Sequence, residues 1–381
     1  DIDCVFCVSD SPAFGVLTAL QEQGIQVPND VGVAGFGNFE VSRYAVPSIT
    51  TVKVDPAEVG RVAAGLQAQN VVPGDRVGVC LPRSANLVAV LLGIWRAGAA
   101  YVPLDPNYPS ERLEYIWRDS DARRVIAADA DGFGDRGVAL AELLNAEHAL
   151  AEVPSSPERI SHVIYTSGST GAPKGVMVTQ ANTAALIQWA SDSFSADDCV
   201  GVLASTSVCF DLSVFELFLP LVVGGTSVLV DNLLALREPT PAPVSLINSV
   251  PSVVSEFLRH ARLPDTARTL CLAGEPLSNA LVARALDQSQ LRRVLDLYGP
   301  SECTTYSTMA ELHPDRPATN WRAILGWVLF ILDNAGQPVP PGAPVDIVVG
   351  GAGAAASAGP ATPEGVIPPH AGIAKDPPRL Y

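Results

Sequence analysis

The sequence predicts an α/β fold built from wound sheets flanked by helices. Three observations carry this expectation. Short apolar runs of strand length alternate with longer stretches of helical periodicity over most of the chain, the pattern of wound strand–helix units. Hydrophobic residues make up 48% of the chain, enough for a large core, and charged residues only 17%. The length of 381 residues accommodates two or three domains or one large α/β unit.

The elements follow in order. Residues 3–9 read as an apolar strand. Asp10 or Ser11 can cap a helix that runs to 23 and stops at Gly24. A strand over 31–36 completes a strand–helix–strand unit suited to a parallel sheet. From Arg61 the pattern changes. Residues 61–69 read as a helix, 71–80 lead into a strand, and 84–96 read as a helix. Strands at 124–127 and 162–165 flank a helix over 138–151. Further helices are predicted over 180–194, 213–219, 249–262 and 279–287. Further strands are predicted over 200–203, 226–230, 244–247, 269–273 and 294–297. The most apolar stretch, 217–234, is broken by Pro220, Gly224 and Gly225. It reads as a core strand pair and not as a membrane span.

Charge excludes one class of partner. The net charge is −16 and no basic stripe offers phosphate neutralisation, so nucleic acid is not an expected ligand. The seven cysteines lie among apolar residues. Cys4 and Cys7 are spaced C-x-x-C without a second pair, which reads as buried strand thiols and not as a metal or redox site. With no signal peptide in the sequence, a reducing cytoplasm is expected. Lysine occurs at three positions, Lys53, Lys174 and Lys375.

The chemistry concentrates in residues 161–179. An apolar strand leads into 166–175, where three glycines, four hydroxyls and one lysine fall within ten residues, and a second strand follows. Glycines let a backbone turn tightly and approach a ligand. Hydroxyls, backbone N–H groups and a lysine together suit an anion with several oxygens, such as a triphosphate. The plainer reading is a tight hairpin with a solvated lysine. The pattern G-x-x-x-x-G-K-[ST] is absent, so this is not a Walker loop.

Residue for residue, Tyr165–Gly175 resembles the signature Y-T-S-G-[ST]-T-G-x-P-K-G of adenylate-forming enzymes. That family includes nonribosomal peptide synthetase adenylation domains, acyl-CoA synthetases and luciferases. The phrase G-A-A-Y-V-P-L-D-P-N-Y-P at 98–109 resembles a second family phrase. The resemblance implies the large N-terminal domain fold of that family and the use of ATP with Mg2+. It places Thr166, Ser167, Gly168, Ser169, Thr170, Gly171, Lys174 and Gly175 around the phosphates, with Thr166, Lys174 and Glu302 as catalytic residues.

Other phrases extend the resemblance. Y-G-P-S-E at 298–302 follows a strand and matches Y-G-P-[ST]-E; taken alone it is a turn with a solvated glutamate. The match implies Tyr298 against adenine, Gly299 among the cofactor-binding residues, Ser301 near phosphate and Glu302 on magnesium, an ion that favours oxygen ligands. A-G-E-P at 273–276 resembles the turn beside adenosine, with Gly274 allowing backbone approach. In C-F-D-L-S-V-F-E at 209–216, Asp211 sits among apolar residues and needs a partner. Helix capping is one reading. The resemblance implies pairing with a substrate α-ammonium group, which favours an α-amino acid. The family's pocket positions fall on Leu212, Phe215, Asn248, Cys271, Ala273, Leu297, Thr305 and Tyr306. None is charged and several are bulky, which points to alanine or another small neutral amino acid.

Elsewhere the chain departs from the family. The phrases at 27–37 and 47–52 resemble the effector domain of LacI/GalR-type repressors, a βαβ fragment of periplasmic-binding-protein-like type, in which Asp10 and Asn38 read either as a cap and a turn residue or as remnants of effector contacts. The expected divisions are a repressor-like fragment at 1–60, an incomplete adenylation core at 61–344 and a low-complexity tail at 345–381. The family expects I-G-R-P-I near 320–324 and G-G-x-G-x-A-R-G-Y after 345; the chain reads N-W-R-A-I, then a run rich in Ala, Gly and Pro. That composition predicts no packed core over 354–363. The sequence ends before the family's ribose-binding aspartate and the lid that bears a catalytic lysine, so impaired turnover is expected. The intact parent is expected to pass its acyl group to phosphopantetheine on a peptidyl carrier protein. The alternatives are a LacI-type regulator or sugar-binding fragment, and a chimera without function.

Overall fold

The computed structural model describes residues 4–6, 10–27, 31–36, 50–52, 56–145, 148–167, 173–240, 242–313, 322–332, 346–358 and 372–373. Among them, β1 (Cys4–Phe6), β2 (Gly32–Phe36) and β3 (Thr50–Val52) pair in parallel. The helix Asp10–Glu22 packs on this sheet through Ala13 and Leu17, which meet Val33 in a small separate core. Asp10 opens the helix as predicted; Cys7 and Asn38 lie outside the described residues.

Two seven-stranded sheets form the body of the described structure. The first contains β4 (Arg76–Cys80), β5 (Ala100–Pro103), β6 (Arg124–Ala127), β7 (Gly137–Ala139), β8 (Ile160–Ser167), β9 (Pro173–Thr179) and, at its edge, β19 (Ala356–Ala358). The second contains β10 (Val202–Ala204), β11 (Ser227–Leu229), β12 (Leu246–Ser249), β13 (Thr269–Ala273), β14 (Arg293–Tyr298), β15 (Thr308–Glu311) and β16 (Arg322–Ala323). Parallel pairing runs from β5 through β4 and β6 to β7, and from β11 to β14 in the second sheet. Strand β13 is buried at all five positions, as a central parallel strand must be.

The sheets are joined by a helix pair. Gln180–Ser193 packs on β8 and β9, Leu212–Val223 packs on β10 and β12, and the two helices pack on each other. The largest core cluster accordingly takes in Tyr101 and Val77 from the first sheet and Leu246, Cys271 and Leu295 from the second. A third sheet is antiparallel, with β17 (Trp327–Leu332), β18 (Asp346–Gly351) and β20 (Gly372–Ile373).

Several elements depart from the sequence reading. The helix predicted over 61–69 is Pro56–Ala68; proline suits its first turn, and Val62, Ala63 and Leu66 are fully buried in the main core. Gly93 lets the helix Ala85–Arg96 lie against it, since a Cβ there would stand 2.6 Å from Val62 Cγ1. The helix predicted over 138–151 shrinks to Leu140–Leu144, because Val138 is taken into β7 opposite Ile126. The strand pair predicted over 217–234 is the end of the helix Leu212–Val223, then β11, then the 3-10 turn Leu233–Arg237. A helix buried at every position from Ser213 to Pro220 shows no polar face to mark it. Pro220 sits inside it without breaking it, and the Ser227 hydroxyl stands 3.4 Å from the Glu216 carbonyl that proline cannot serve. The helix Ser110–Asp119 was not anticipated. No described helix is long and apolar enough to cross a membrane.

Candidate functional site

The glycine-rich segment begins on one strand and ends on the strand paired with it. Strands β8 and β9 pair antiparallel, with Thr166 opposite Lys174 and Ser167 opposite Pro173. Gly168, Ser169, Thr170 and Gly171 lie outside the described residues. The two stems are braced by aromatic hydroxyls: Tyr115 donates to the Pro173 carbonyl at 2.9 Å and Tyr165 to Asp119 at 2.6 Å. Thr166 Oγ1 is buried and has no hydrogen-bond partner among the described residues. An orphaned buried hydroxyl is costly and calls for a ligand oxygen or ion. Lys174 is not solvated alone: Nζ lies 2.5 Å from Glu302 Oε1.

Glu302 reaches the loop from the second sheet. Strand β14 ends at Tyr298, and the 3-10 turn Ser301–Cys303 follows. Thr304 and Thr305 then take φ of 56° and 69°, left-handed values that cost energy in threonine and mark a turn held by its surroundings. Gly299 is needed by this turn itself: a Cβ would stand 2.7 Å from Ser307 N, Thr305 O and Tyr306 Cα. Gly274 serves conformation, with φ +80° and only an ordinary contact, Val250 Cγ1 at 3.7 Å, where a Cβ would be. Its neighbour Glu275 caps the helix Pro251–His260 through Ser252 N and Oγ, both at 2.8 Å.

Asp211 stands at the N-terminus of Leu212–Val223 and makes no side-chain cap hydrogen bond. Burial pushes its carboxyl up from the usual aspartate range, against the hydroxyl of Ser301, which hydrogen-bonds to it; the Glu302 charge pushes the same way as burial. A shielded carboxylate with this balance favours a cationic partner. Ser301 thus faces Asp211, and Asp211, Ser301, Glu302 and Lys174 form a connected chain.

Behind Asp211 the predicted pocket residues come together. Phe215, Asn248, Cys271, Ala273, Leu297, Thr305 and Tyr306 are all buried, and Leu212 is partly so. Phe215 and Tyr306 meet edge to face at 5.7 Å. Two residues that sequence reasoning missed close the outer side: Phe194 at 5.3 Å from Phe215, and Trp189 at 6.0 Å from Tyr306. No local motif marks them. Glu216 and Arg83 were also missed. Glu216 accepts from Ser205 and Thr206, and from Asn248 Nδ2 at 3.1 Å, while Tyr306 donates to Asn248 Oδ1 at 2.8 Å. Arg83 binds the carbonyls of 204–206.

Residues 351–358 lie across the site. Composition alone predicts no packed core over 354–363, yet the described part is ordered by pairing. The strand β19 (Ala356–Ala358) pairs with β9 at Gly175, Val176 and Met177. Ala355 N donates to the Glu302 carbonyl at 2.8 Å, Thr304 Oγ1 to Gly353 O at 2.7 Å, and Asn182 Nδ2 to Ala352 O at 2.7 Å. Trp327 donates to Cys303 O at 3.1 Å and covers Gly353, where a Cβ would run into the indole ring. The small residues that look featureless in sequence are what lets this strap lie flat.

Comparison with known proteins fits this geometry. The profile of the AMP-binding enzyme family matches residues 56–357, and that of the periplasmic binding protein-like domain matches 3–78. The chain is 43% identical to the AMB antimetabolite synthetase AmbB of Pseudomonas aeruginosa, over 78% of this chain and 25% of that protein. It is 39% identical to a linear gramicidin synthase component of Brevibacillus parabrevis, over 83% of this chain and 6% of that one. A four-domain nonribosomal peptide synthetase bound to AMP and glycine superposes with a TM-score of 0.69 at 28% identity, over 78% of this chain and 23% of that one. The N-terminal subdomain of Klebsiella oxytoca NpsA, at 20% identity and a TM-score of 0.70 over 80% of each chain, shares the fold. The chain thus spans a quarter or less of the two curated relatives. With the signature hairpin, the Y-G-P-S-E turn and the two-sheet body in place, the chain belongs to the AMP-binding enzyme family, in its nonribosomal peptide synthetase adenylation branch.

Proposed function

We propose that this chain activates a small neutral α-amino acid, with alanine the leading candidate. The substrate carboxylate attacks the α-phosphorus of ATP, the bond to the β-phosphate oxygen breaks, and aminoacyl-AMP and pyrophosphate form. The observation that carries the reading is the convergence of Lys174, Glu302, Ser301 and Asp211, with a closely packed apolar pocket behind them. Lys174 and the 166–175 hairpin receive the phosphates, Tyr298 and Gly274 border the adenosine, and Asp211 holds the ammonium group. The residues at the pocket positions are buried and several are bulky, which favours a small side chain, and the polar atoms on Asn248 and Tyr306 are bonded to each other.

Glu302 and the orphaned Thr166 hydroxyl fit magnesium, which favours oxygen ligands. When bound, the ion supplies neutralisation of triphosphate charge. The activated acyl group would pass to a carrier-protein phosphopantetheine thiol. ATP–pyrophosphate exchange in the parent synthetase tests the reading, and a clear preference for an aromatic or charged amino acid defeats it.

A further inference from the structure

The motif that supplies Asp211 ends in Glu216, to which the adenylation reading gives no task. Glu216 is 0% exposed, inside an apolar helix. A carboxylate there is costly unless its oxygens are satisfied. Both are. Oε2 accepts the N–H groups of Ser205 and Thr206, each at 2.9 Å, and Oε1 accepts the Thr206 hydroxyl at 2.6 Å and the Asn248 amide at 3.1 Å. Arg83 grips the same segment from its other polar edge, donating to the carbonyls of Ala204, Ser205 and Thr206 at 2.9, 3.2 and 2.7 Å. Segment 204–206 is thus held by its N–H groups and by its carbonyls at once.

The contact with Asn248 has a direction. A carboxylate accepts, so it takes the NH2 side of the Asn248 amide. Asn248 Oδ1 is left facing Tyr306, whose hydroxyl donates to it at 2.8 Å. Tyr306 is 0% exposed and its hydroxyl is committed inside the wall.

We propose that Glu216 is a positioning residue for side-chain selection: by fixing the orientation of the Asn248 amide it keeps the Tyr306 hydroxyl turned into the wall, so that the pocket presents an apolar face to the substrate. The proposal rests on the amino-acid reading above. Glutamine at 216 can donate as well as accept, so the relay loses its direction. Asn248 can then reverse and release a polar group to a substrate hydroxyl. Serine, alanine plus one hydroxyl, is the amino acid that gains.

Titration calorimetry of the 381-residue chain with AMP, and with the alanyl and seryl sulfamoyl analogues of aminoacyl-AMP, tests this. In Glu216→Gln, AMP affinity is expected to stay within about twofold of wild type, while the alanyl-to-seryl affinity ratio falls at least about fivefold. Tyr306→Phe removes one hydroxyl and leaves Asn248 Oδ1 open to the substrate, so the same ratio is expected to fall. The two changes combined are expected to do no more than either alone, because they act on one relay. If Glu216→Gln does not fold, Tyr306→Phe decides alone. A ratio within about twofold of wild type in every variant that folds overturns the proposal and leaves Glu216 a brace of the fold. Wild-type binding of AMP but of neither aminoacyl analogue overturns the amino-acid reading and this proposal with it.

Discussion

The Lys174–Glu302 pair shows how little stability a functional contact need carry. Both side chains keep substantial exposure, 42% and 30%, so water screens the pair and it contributes about 0–1 kcal/mol. Lys174→Ala is therefore expected to shift the melting temperature by less than about 3 °C while weakening ATP binding at least about tenfold, read by calorimetry. His162 is the opposite case. It is buried against Tyr101, with Nδ1 2.9 Å from Ser161 Oγ, and burial pushes its pKa down from 6.5 to about 3. The unfolded chain takes up a proton below 6.5 that the folded chain refuses, so stability is complete above that pH and drains away as pH falls toward 3. Between about pH 7 and about pH 4.5, wild type is expected to lose about 3 kcal/mol more than His162→Phe, which keeps the ring, as read by denaturant unfolding at both pH values. Sequence reasoning placed residue 162 on a strand, which needed only its apolar neighbours. It could not see Glu216 at work, because the partner Asn248 is 32 residues away and Tyr306 a further 58.

Elements were legible where local signals agreed with tertiary demand. The helix Asn279–Asp287 was read to the residue, because Ser278 caps it through Leu281 N and its apolar positions repeat with helical period. The helix Leu212–Val223 was read only in part, since burial at every position from Ser213 to Pro220 erased the periodicity. The helix Gln180–Ser193 starts with a capping box in which Thr179 and Asn182 serve each other's backbone. Asn182 also donates to Ala352 O at 2.7 Å, so one side chain anchors both a helix start and the strap. Asn182→Ala is expected to cost about 1–2 kcal/mol of stability and to speed amide exchange over 352–358, measured by mass spectrometry.

For the whole molecule, the chemistry was more legible than the architecture that delivers it. Phrases such as Y-T-S-G-S-T-G and Y-G-P-S-E are short and contiguous, while the meeting of two sheets through a helix pair is a long-range outcome with no local sign. The division at 1–60 remains a proposal. It is supported by the separate core of Ala13, Leu17 and Val33, and by the profile that matches 3–78. The helix Pro56–Ala68 runs across that boundary and packs through Val62 and Leu66 into the main core. Removal of residues 1–52 is expected to leave the melting temperature of the remainder within about 3 °C, by scanning calorimetry. A larger drop would place that fragment within the main cooperative unit.

The strap at 351–358 also carries a consequence for the order of folding. It ties Ala352 to Asn182 across 170 residues, and its strand finds a place only after β8 and β9 have paired. Contacts at such separation pay loop-closure entropy late, after local pairing has formed. The Ala355 amide, which bonds to Glu302, should therefore gain protection last in pulse-labelled hydrogen exchange. On a ribosome both large sheets, apart from the edge strand β19, would form before the Glu302 turn is locked, so the chain acquires its shape before it acquires its catalytic geometry.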